Sequence, residues 1–507
     1  SKGGSAGHLA LAIRDQVPGD DLVYSANFYA DRSVEHLRGF YTRDLICMAP
    51  KSEYLFKTTS SLGPDASFGL DMGEIYKRRL AIMADLPGPK MRIGQFGSEP
   101  VDLKPGDRFT LTTDDIVGDN ERVSVTFTPL PRVVKPGNTL FLNDGVIQID
   151  VEAIQGGDVH CRVVVGGELR SRKGLNLPDI DLGISAFTEH DHTCMKFALE
   201  NGVDAVSQSF VERAADIQAV REAAAALGYQ PFVIAKIERS SALNHLDEII
   251  AAADAVMIAR GDLGVELPIE QIPVVQKQIM RKANMWAKPV ITATQMLESM
   301  TTNRRPTRAE ANDVANAILD GTDAVMLSGE SAMGDYPVDS AAMLAKIAAA
   351  IEPFRAVKSA SELFKGVDLK GKVPPAKLID LGVETILEYA DPAAVFVPTR
   401  SGETARSIAR FRLPIWIVAV SSKEATCQQL QFSSGVYPVC EVEHPESWNR
   451  YVADWLKARG IEGKLAVVTE GPSSNHPDAN NRLEIVDLKR GVDASSGDGE
   501  RSIFKRL

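Results

Sequence analysis

Four short stretches carry side chains for which a buried strand has no use. Val233-Ile234-Ala235 runs into Lys236-Ile237-Glu238, and Val256-Met257-Ile258-Ala259 into Arg260-Gly261-Asp262-Leu263-Gly264. Ile291-Thr292-Ala293 leads to Thr294-Gln295, and Met326-Leu327 to Ser328-Gly329-Glu330. Glu238 and Asp262 are carboxylates at successive run ends, which suits a hard divalent cation. Mg²⁺ takes one or two protein carboxylates and leaves its other positions to water and substrate oxygens. Lys236 lies two residues before Glu238, so on a strand both side chains point the same way. An ammonium beside a bound dication clamps a transferring phosphoryl group or an enolate. Gly261 removes a side chain beside Asp262 and lets backbone N–H groups approach an anion. Taken singly, Lys236–Glu238 or Arg260–Asp262 reads equally well as a salt bridge on a rim. Recurrence at four consecutive run ends favours a site.

Such ends converge only if the runs lie side by side and parallel. Ala205–Val211, Phe232–Ile237, Ala255–Ala259, Pro289–Thr294 and Ala324–Ser328 are β-rich apolar runs, separated by helix-like stretches such as Ala214–Leu227 and Thr307–Leu319. That alternation implies βα units on a parallel sheet. Five units in series favour a (β/α)₈ barrel, whose C-terminal strand ends form the rim where active sites sit, over a doubly wound sheet. From about residue 93 to 183 the helical pattern gives way to short alternating stretches between Gly, Pro and Asp turns, which predicts a small inserted β-barrel domain. From about residue 354 the βα alternation resumes (Ala394–Pro398, Ile415–Val420, Lys464–Thr469). The predicted organisation is an N-terminal segment 1–57, a barrel over 58–92 and 184–353, an insert over 93–183, an α/β domain over 354–490 and a polar tail 491–507.

At 507 residues the chain exceeds a single hydrophobic core. A net charge of −12 argues against nucleic acid or a membrane surface as the main partner, so any anion site must gather positive charge locally. Cys47, Cys161, Cys194, Cys427 and Cys440 are scattered and without CxxC spacing, which points to a reducing compartment. The apolar runs are of strand length, and Ser1–Gly7 is small and polar, so the expected location is cytoplasmic.

The stretch from Ala287-Lys288-Pro289-Val290 through Ile291-Thr292-Ala293-Thr294-Gln295 to Met296-Leu297-Glu298-Ser299-Met300 resembles the pyruvate kinase family. So do Pro306-Thr307-Arg308-Ala309-Glu310, Asp313-Val314-Ala315-Asn316, Met326 to Ala332 and Ile258 to Glu266. Asn143-Asp144-Gly145 and Gln208-Ser209-Phe210-Val211 are weaker matches, and the likeness runs from about residue 79 to 488. The resemblance implies Mg²⁺-dependent (or Mn²⁺-dependent) phosphoryl transfer from phosphoenolpyruvate to ADP in glycolysis, giving pyruvate and ATP. It makes Glu238 and Asp262 metal ligands and Lys236 the cation facing the transferring phosphoryl and the enolate. Ala259, Gly261 and Asp262 would cradle the substrate carboxylate. Thr294, with Ser328 and Glu330 behind it, would deliver the proton that turns enolate into pyruvate, and Arg92 and Ser209 would line the phosphate side. The insert would be a lid and the assembly a homotetramer. In the third domain, Thr399, Arg400, Ser401, Gly402 and Thr404 resemble the family's loop for phosphorylated effectors, and a hydroxyl- and glycine-rich turn of this kind makes a phosphate nest.

Two departures stand out. Many members have Asp-Thr-Lys-Gly-Pro-Glu-Ile-Arg and need K⁺, where this chain has Asp85-Leu86-Pro87-Gly88-Pro89-Lys90-Met91-Arg92. Leu86 has no hydroxyl for a cation, and the Lys90 ammonium would supply the charge instead, so activity without K⁺ is expected. The family's Arg-x-Asn-x-Ser-His-Gly segment, whose arginine binds the transferring phosphoryl, is absent. Leu62-Gly63-Pro64 stands where a first barrel turn would be, and Ala26-Asn27-Phe28 is the nearest fragment of the missing segment. That loss keeps open a silent, effector-binding subunit. A Mg²⁺-enolate carbon–carbon lyase of a related barrel family would not need Lys236 or the insert.

Overall fold

The structure is a computed structural model that describes residues 7–15, 22–30, 81–180, 182–363, 375–443, 445–471 and 481–489. Leu62-Gly63-Pro64 and the tail 491–507 lie outside the described residues. The chain divides into a first unit, 1–356 with 431–434, and a second, 357–430 with 435–507.

The first unit opens with β1 (Gly7–Asp15), β2 (Leu22–Ala30) and β3 (Ile82–Leu86). An inserted region follows with β4 (Val101–Leu103), β5 (Arg108–Thr112), β6 (Arg122–Ser124), β7 (Thr139–Leu142), β8 (Ile147–Gln155), β9 (Asp158–Val165), β10 (Gly167–Leu169) and β11 (Leu175–Asn176). The chain then returns through β12 (Ala205–Gln208), β13 (Phe232–Ile237), β14 (Ala255–Ala259), β15 (Val290–Ala293) and β16 (Ala324–Met326). The eight-stranded sheet runs β16-β15-β14-β13-β12-β3-β1-β2. Six of these strands, β3 and β12 to β16, run parallel to one another, whereas β1 pairs antiparallel with both β2 and β3. The expected (β/α)₈ barrel is borne out along the parallel strands, and only the pairing of β1 and β2 departs from it, for a simple reason. Only residues 16–21 separate β1 from β2, too few for the helical crossover that a parallel neighbour requires. Ala26-Asn27-Phe28 falls within β2. β1 also approaches β16 at the far edge, so the sheet curls toward closure.

The parallel strands are apolar along their length because both faces are covered. Ala81, Met83, Ala205, Phe232, Ile234, Ala255, Met257, Ile291 and Ala293 pack together on one face. Val206, Val233, Ala235, Ile237, Val256 and Ile258 pack on the other, against helical residues such as Ile217, Val220, Ile249, Ile279 and Met280. Strand alternation carries the first set on to Asp85, Ser209 and Lys236 at the C-terminal ends. Register aligns those ends: Ser207 faces Asp85, Gln208 faces Ala235, Ile237 faces Ile258, Ala259 faces Ala293 and Ala293 faces Met326.

The insert has its own core. Its main sheet runs β11-β7-β8-β9-β5-β6 beside a β10-β4 pair. Inward residues Phe109, Leu111, Leu140, Leu142, Ile147, Ile149, Val159, Cys161 and Val163 are buried together.

In the second unit β17 (Ala394–Pro398), β18 (Trp416–Ser421), β19 (Val436–Cys440), β20 (Leu465–Glu470) and β21 (Arg482–Asp487) form a sheet in the order β19-β18-β17-β20-β21. Within this sheet β21 pairs antiparallel and the other strands pair parallel. The order reverses beside β17, the position at which open α/β sheets bind ligands. Among the described residues no helix is long and apolar enough to cross a membrane.

Candidate active site at the barrel mouth

Lys236 is the centre of the cluster. Its ammonium lies 3.2 Å from Asp85 Oδ2, 3.2 Å from Glu238 Oε2 and 3.0 Å from Ser209 Oγ. Burial works against the charged lysine, but Asp85, Glu238 and Asp262 outweigh it and hold its pKa above the ordinary lysine range. Glu238 is buried, and burial raises its pKa. Lys236 opposes that shift, while Asp262 and Asp85 add to it. Glu238 Oε1 accepts the Phe210 N–H at 2.7 Å. Glu238 Oε2 and Asp85 Oδ1 are buried acceptors with no hydrogen bond. Three carboxylates therefore share one ammonium, Asp85 Oδ1 has no donor and Glu238 Oε2 has only its ion pair with Lys236, and a cation fits that deficit. Among the described residues no three His, Cys, Asp or Glu side chains gather closely enough to hold an ion alone.

Thr294 and Gln295 follow β15 with φ of 67° and 53°. A β-branched residue in the left-handed region is strained and persists only where its surroundings enforce it. Arg260 provides that restraint: its guanidinium donates to Thr294 O at 3.0 Å and is paired with Asp313 at 2.6 Å. Thr294 Oγ1 accepts the Gly261 N–H at 2.8 Å, so the hydroxyl keeps its own proton to donate elsewhere. The Gly261 N–H, expected to face the substrate carboxylate, is thus committed to Thr294. Ala259 is buried at the end of β14, and Asp262 is half-buried in the first turn of the helix Arg260–Glu266. Glu330 is buried, and its oxygens accept the N–H groups of Leu297 at 2.9 Å and Ser328 at 2.7 Å. Such a carboxylate fixes two backbones, and each of its oxygens keeps a further acceptor site.

The Arg92 guanidinium donates to Arg172 O at 2.8 Å, within the insert. Lys90 is exposed and makes no ion pair with a described residue, while Leu86 is buried in the barrel core. In the second unit, Gly402 has φ 77°, and its N–H donates to Thr399 Oγ1 at 2.9 Å. Ser401 O accepts from Arg406 at 2.8 Å, and Arg400 O from Thr426 at 2.8 Å. Arg400 is exposed, and Thr404 is half-buried in the helix Glu403–Ala409. Sequence reasoning missed Arg239 and Glu266, which are buried and paired at 3.1 Å. Arg239 directly follows Glu238, and Glu266 closes the matching stretch Ile258 to Glu266, which were their signals in the sequence.

A family model described as the pyruvate kinase barrel domain matches residues 71–341, and one described as the pyruvate kinase alpha/beta domain matches 380–486. A pyruvate kinase from Thermococcus litoralis is 46% identical over 421 residues, covering 82% of this chain and 88% of the relative. One from Clostridium acetobutylicum is 38% identical over 418 residues, covering 80% and 86%. A crystal structure of a pyruvate kinase from Cryptosporidium parvum superposes with a TM-score of 0.75 at 31% identity, covering 83% of this chain and 86% of that one. On this likeness, which spans the barrel and the second unit, the chain belongs to the pyruvate kinase family and is a phosphotransferase.

Proposed function

We propose that the barrel mouth binds phosphoenolpyruvate with Mg²⁺ (or Mn²⁺) and passes its phosphoryl group to ADP, with the Lys236 cluster as the seat. The observation that supports this most is the Lys236 ammonium between Asp85 and Glu238, with the buried Asp85 Oδ1 left without a donor. Glu238 and Asp262 would hold the metal ion. Bound there, the ion draws charge from the phosphoryl oxygens and from the developing enolate. Lys236 faces the same charge from the interior of the barrel, and Ser209 orients the ammonium through its hydroxyl. Ala259, Gly261 and Asp262 shape the wall for the substrate carboxylate, and Arg92 belongs to the phosphate side once the insert covers the mouth. Thr294 donates its hydroxyl proton to the enolate carbon and is reprotonated through Ser328 and Glu330 behind it, and Glu330 also holds both turns in place through their N–H groups. Converting the enol to the ketone makes transfer to ADP favourable, and a lid excludes the water that would hydrolyse the phosphoryl group.

Positive charge from Lys90, with the apolar Leu86 beside Asp85, makes activity independent of K⁺ the expected behaviour. A large activation by K⁺ in a Na⁺- and K⁺-free assay would refute this. The loop Thr399–Thr404, at the order reversal beside β17, fits a phosphorylated effector. A homotetramer is the expected assembly, measurable by analytical ultracentrifugation.

The deciding assay couples pyruvate formation to phosphoenolpyruvate, ADP and Mg²⁺. ADP-dependent turnover that disappears in Lys236→Met supports the reading. Absence of turnover by intact, metal-loaded protein would instead favour a silent subunit, for which the missing Arg-x-Asn-x-Ser-His-Gly segment is the motive.

A further inference from the structure

Arg239 directly follows Glu238, yet its side chain serves neither the barrel core nor the ammonium cluster. It is buried, with Nε 3.1 Å from Glu212 and Nη1 3.1 Å from Glu266. The rest of the guanidinium faces the segment through which the insert rejoins the barrel. Nη1 donates to Leu177 O at 3.3 Å and Nη2 to Ile180 O at 2.8 Å. Ser240 adds a second tie, with Oγ 2.8 Å from Asp179 and 3.2 Å from Glu266. Asp179 itself is in the left-handed region at φ 56°.

Glu266 ends the helix Arg260–Glu266, whose first turn carries Gly261 and Asp262. Asp262, Val265 and Glu266 are spaced i, i+3 and i+4, so they share a helix face. Val265 lies close to the insert at another point. At Gly145, with φ 87°, an added Cβ would lie 3.2 Å from Val265 Cγ2. One seven-residue helix therefore meets the insert at a turn, takes hold of its exit segment through Glu266 and Arg239, and presents Asp262 to the site.

We propose that Arg239 is a positioning residue that sets the posture of the insert and the geometry of Glu238 and Asp262 together. The proposal rests on the reading of the barrel mouth given above. A planar guanidinium suits the task because its fixed fork reaches two carboxylates and two carbonyls at once, which a lysine ammonium cannot reproduce. Misplacing the insert or either carboxylate by about an ångström lowers turnover by about 10²-fold while leaving ground-state binding of the small substrate less affected.

The test compares full-length wild type with Arg239→Lys and with Ser240→Ala, a milder cut of the same junction. Steady-state kinetics, thermal melting and amide hydrogen exchange of residues 175–180 are measured on each. In Arg239→Lys, kcat is expected to fall about 10- to 100-fold with KM for phosphoenolpyruvate changed less than about threefold. Exchange at 175–180 is expected to quicken, and Ser240→Ala to shift both readouts the same way by less. A kcat that stays at the wild-type value while exchange quickens would overturn the proposal, since Arg239 would then be only a structural tie. Unchanged exchange in both variants would overturn it too. If Arg239→Lys does not fold, Ser240→Ala decides by the same two readouts. Lys236→Met run alongside separates the two claims: full activity in that variant sinks the reading of the mouth, whereas its loss with normal Arg239→Lys kinetics sinks the positioning role alone.

Discussion

The barrel mouth and the Thr399–Thr404 loop use their polar groups in opposite ways. At the mouth, Asp85 Oδ1 is buried without a hydrogen bond, Glu238 Oε2 has only its ion pair with Lys236, and three carboxylates face one ammonium. In the loop, the Thr399 hydroxyl takes the Gly402 N–H, and the carbonyls of Ser401 and Arg400 take Arg406 and Thr426. An unsatisfied buried acceptor costs about 1–3 kcal/mol, so a fold keeps such groups where a ligand answers them. A loop that satisfies itself is stable when empty and must give up bonds to bind. The first is a site formed in advance. The second, if it takes the proposed effector, would have to exchange some of these bonds on binding.

The most severe way to break the contrast is Lys236→Met. It removes the ammonium that Asp85, Glu238 and Asp262 share, and kcat is expected to fall by roughly 10²–10³. Melting without divalent cation should also drop, because three like charges then share a buried mouth, and Mg²⁺ should restore more of it than in wild type. A melting point indifferent to both changes would mean that the carboxylates do not act on one another.

Thr294 sharpens the same point through strain. Thr294→Gly relieves a left-handed β-branched residue and should be neutral or stabilising by about 1 kcal/mol, while losing the hydroxyl that Gly261 orients. Turnover is expected to fall about 10- to 100-fold in the glycine variant and to stay within a fewfold of wild type in Thr294→Ser. Equal losses in both variants would show that the methyl group, and not the hydroxyl, is needed.

Much of this was legible in the residues. The apolar runs ending in Lys236, Asp262, Thr294 and Ser328 read as parallel strands, because burial on both faces leaves no polar alternation within them. Strand parity then brought Lys236 to the interior. What could not be read was of two kinds. β1 and β2 alternate weakly, and nothing local in them distinguishes a parallel partner from an antiparallel one; the short connection at 16–21 decides it. Partners distant in sequence were the other kind. Arg239 reaches carbonyls 59 and 62 residues away, and a carbonyl carries no residue type to recognise. The place of Glu330 in the proton chain came from the family resemblance, and its backbone donors are visible only in three dimensions.

Gly402→Ala probes the loop with a smaller effect. The position has φ 77°, and a Cβ would lie 2.8 Å from both Arg406 Nη1 and Leu430 Cδ2. Loss of about 1–2 kcal/mol from the second unit is expected in denaturant melts, together with a weaker response to phosphorylated ligands. A variant as stable as wild type would show that the turn does not need its left-handed residue, and the self-satisfied loop would lose its anchor.

The finest comparison pairs one buried carboxylate from each unit. Burial raises Glu266 to about 7, with Arg239 and the Ser240 hydrogen bonds opposing and Asp179 adding. Burial likewise raises Asp380, against its Ser407 hydrogen bond and the charges of Lys377 and Arg410, with Glu403 adding. An acid whose pKa is higher in the folded state binds its proton more tightly there. Its contribution to stability is therefore full below the unfolded value and is lost as pH rises through the folded one. For Glu266 that loss spans from its ordinary 4.5 to about 7. Glu266→Gln should flatten the decline of the first unit's melting point over this window, and Asp380→Asn should do so for the second unit. If Glu266→Gln instead steepens the decline, the Arg239 ion pair outweighs burial, and the junction between insert and helix is held by charge attraction throughout the physiological range.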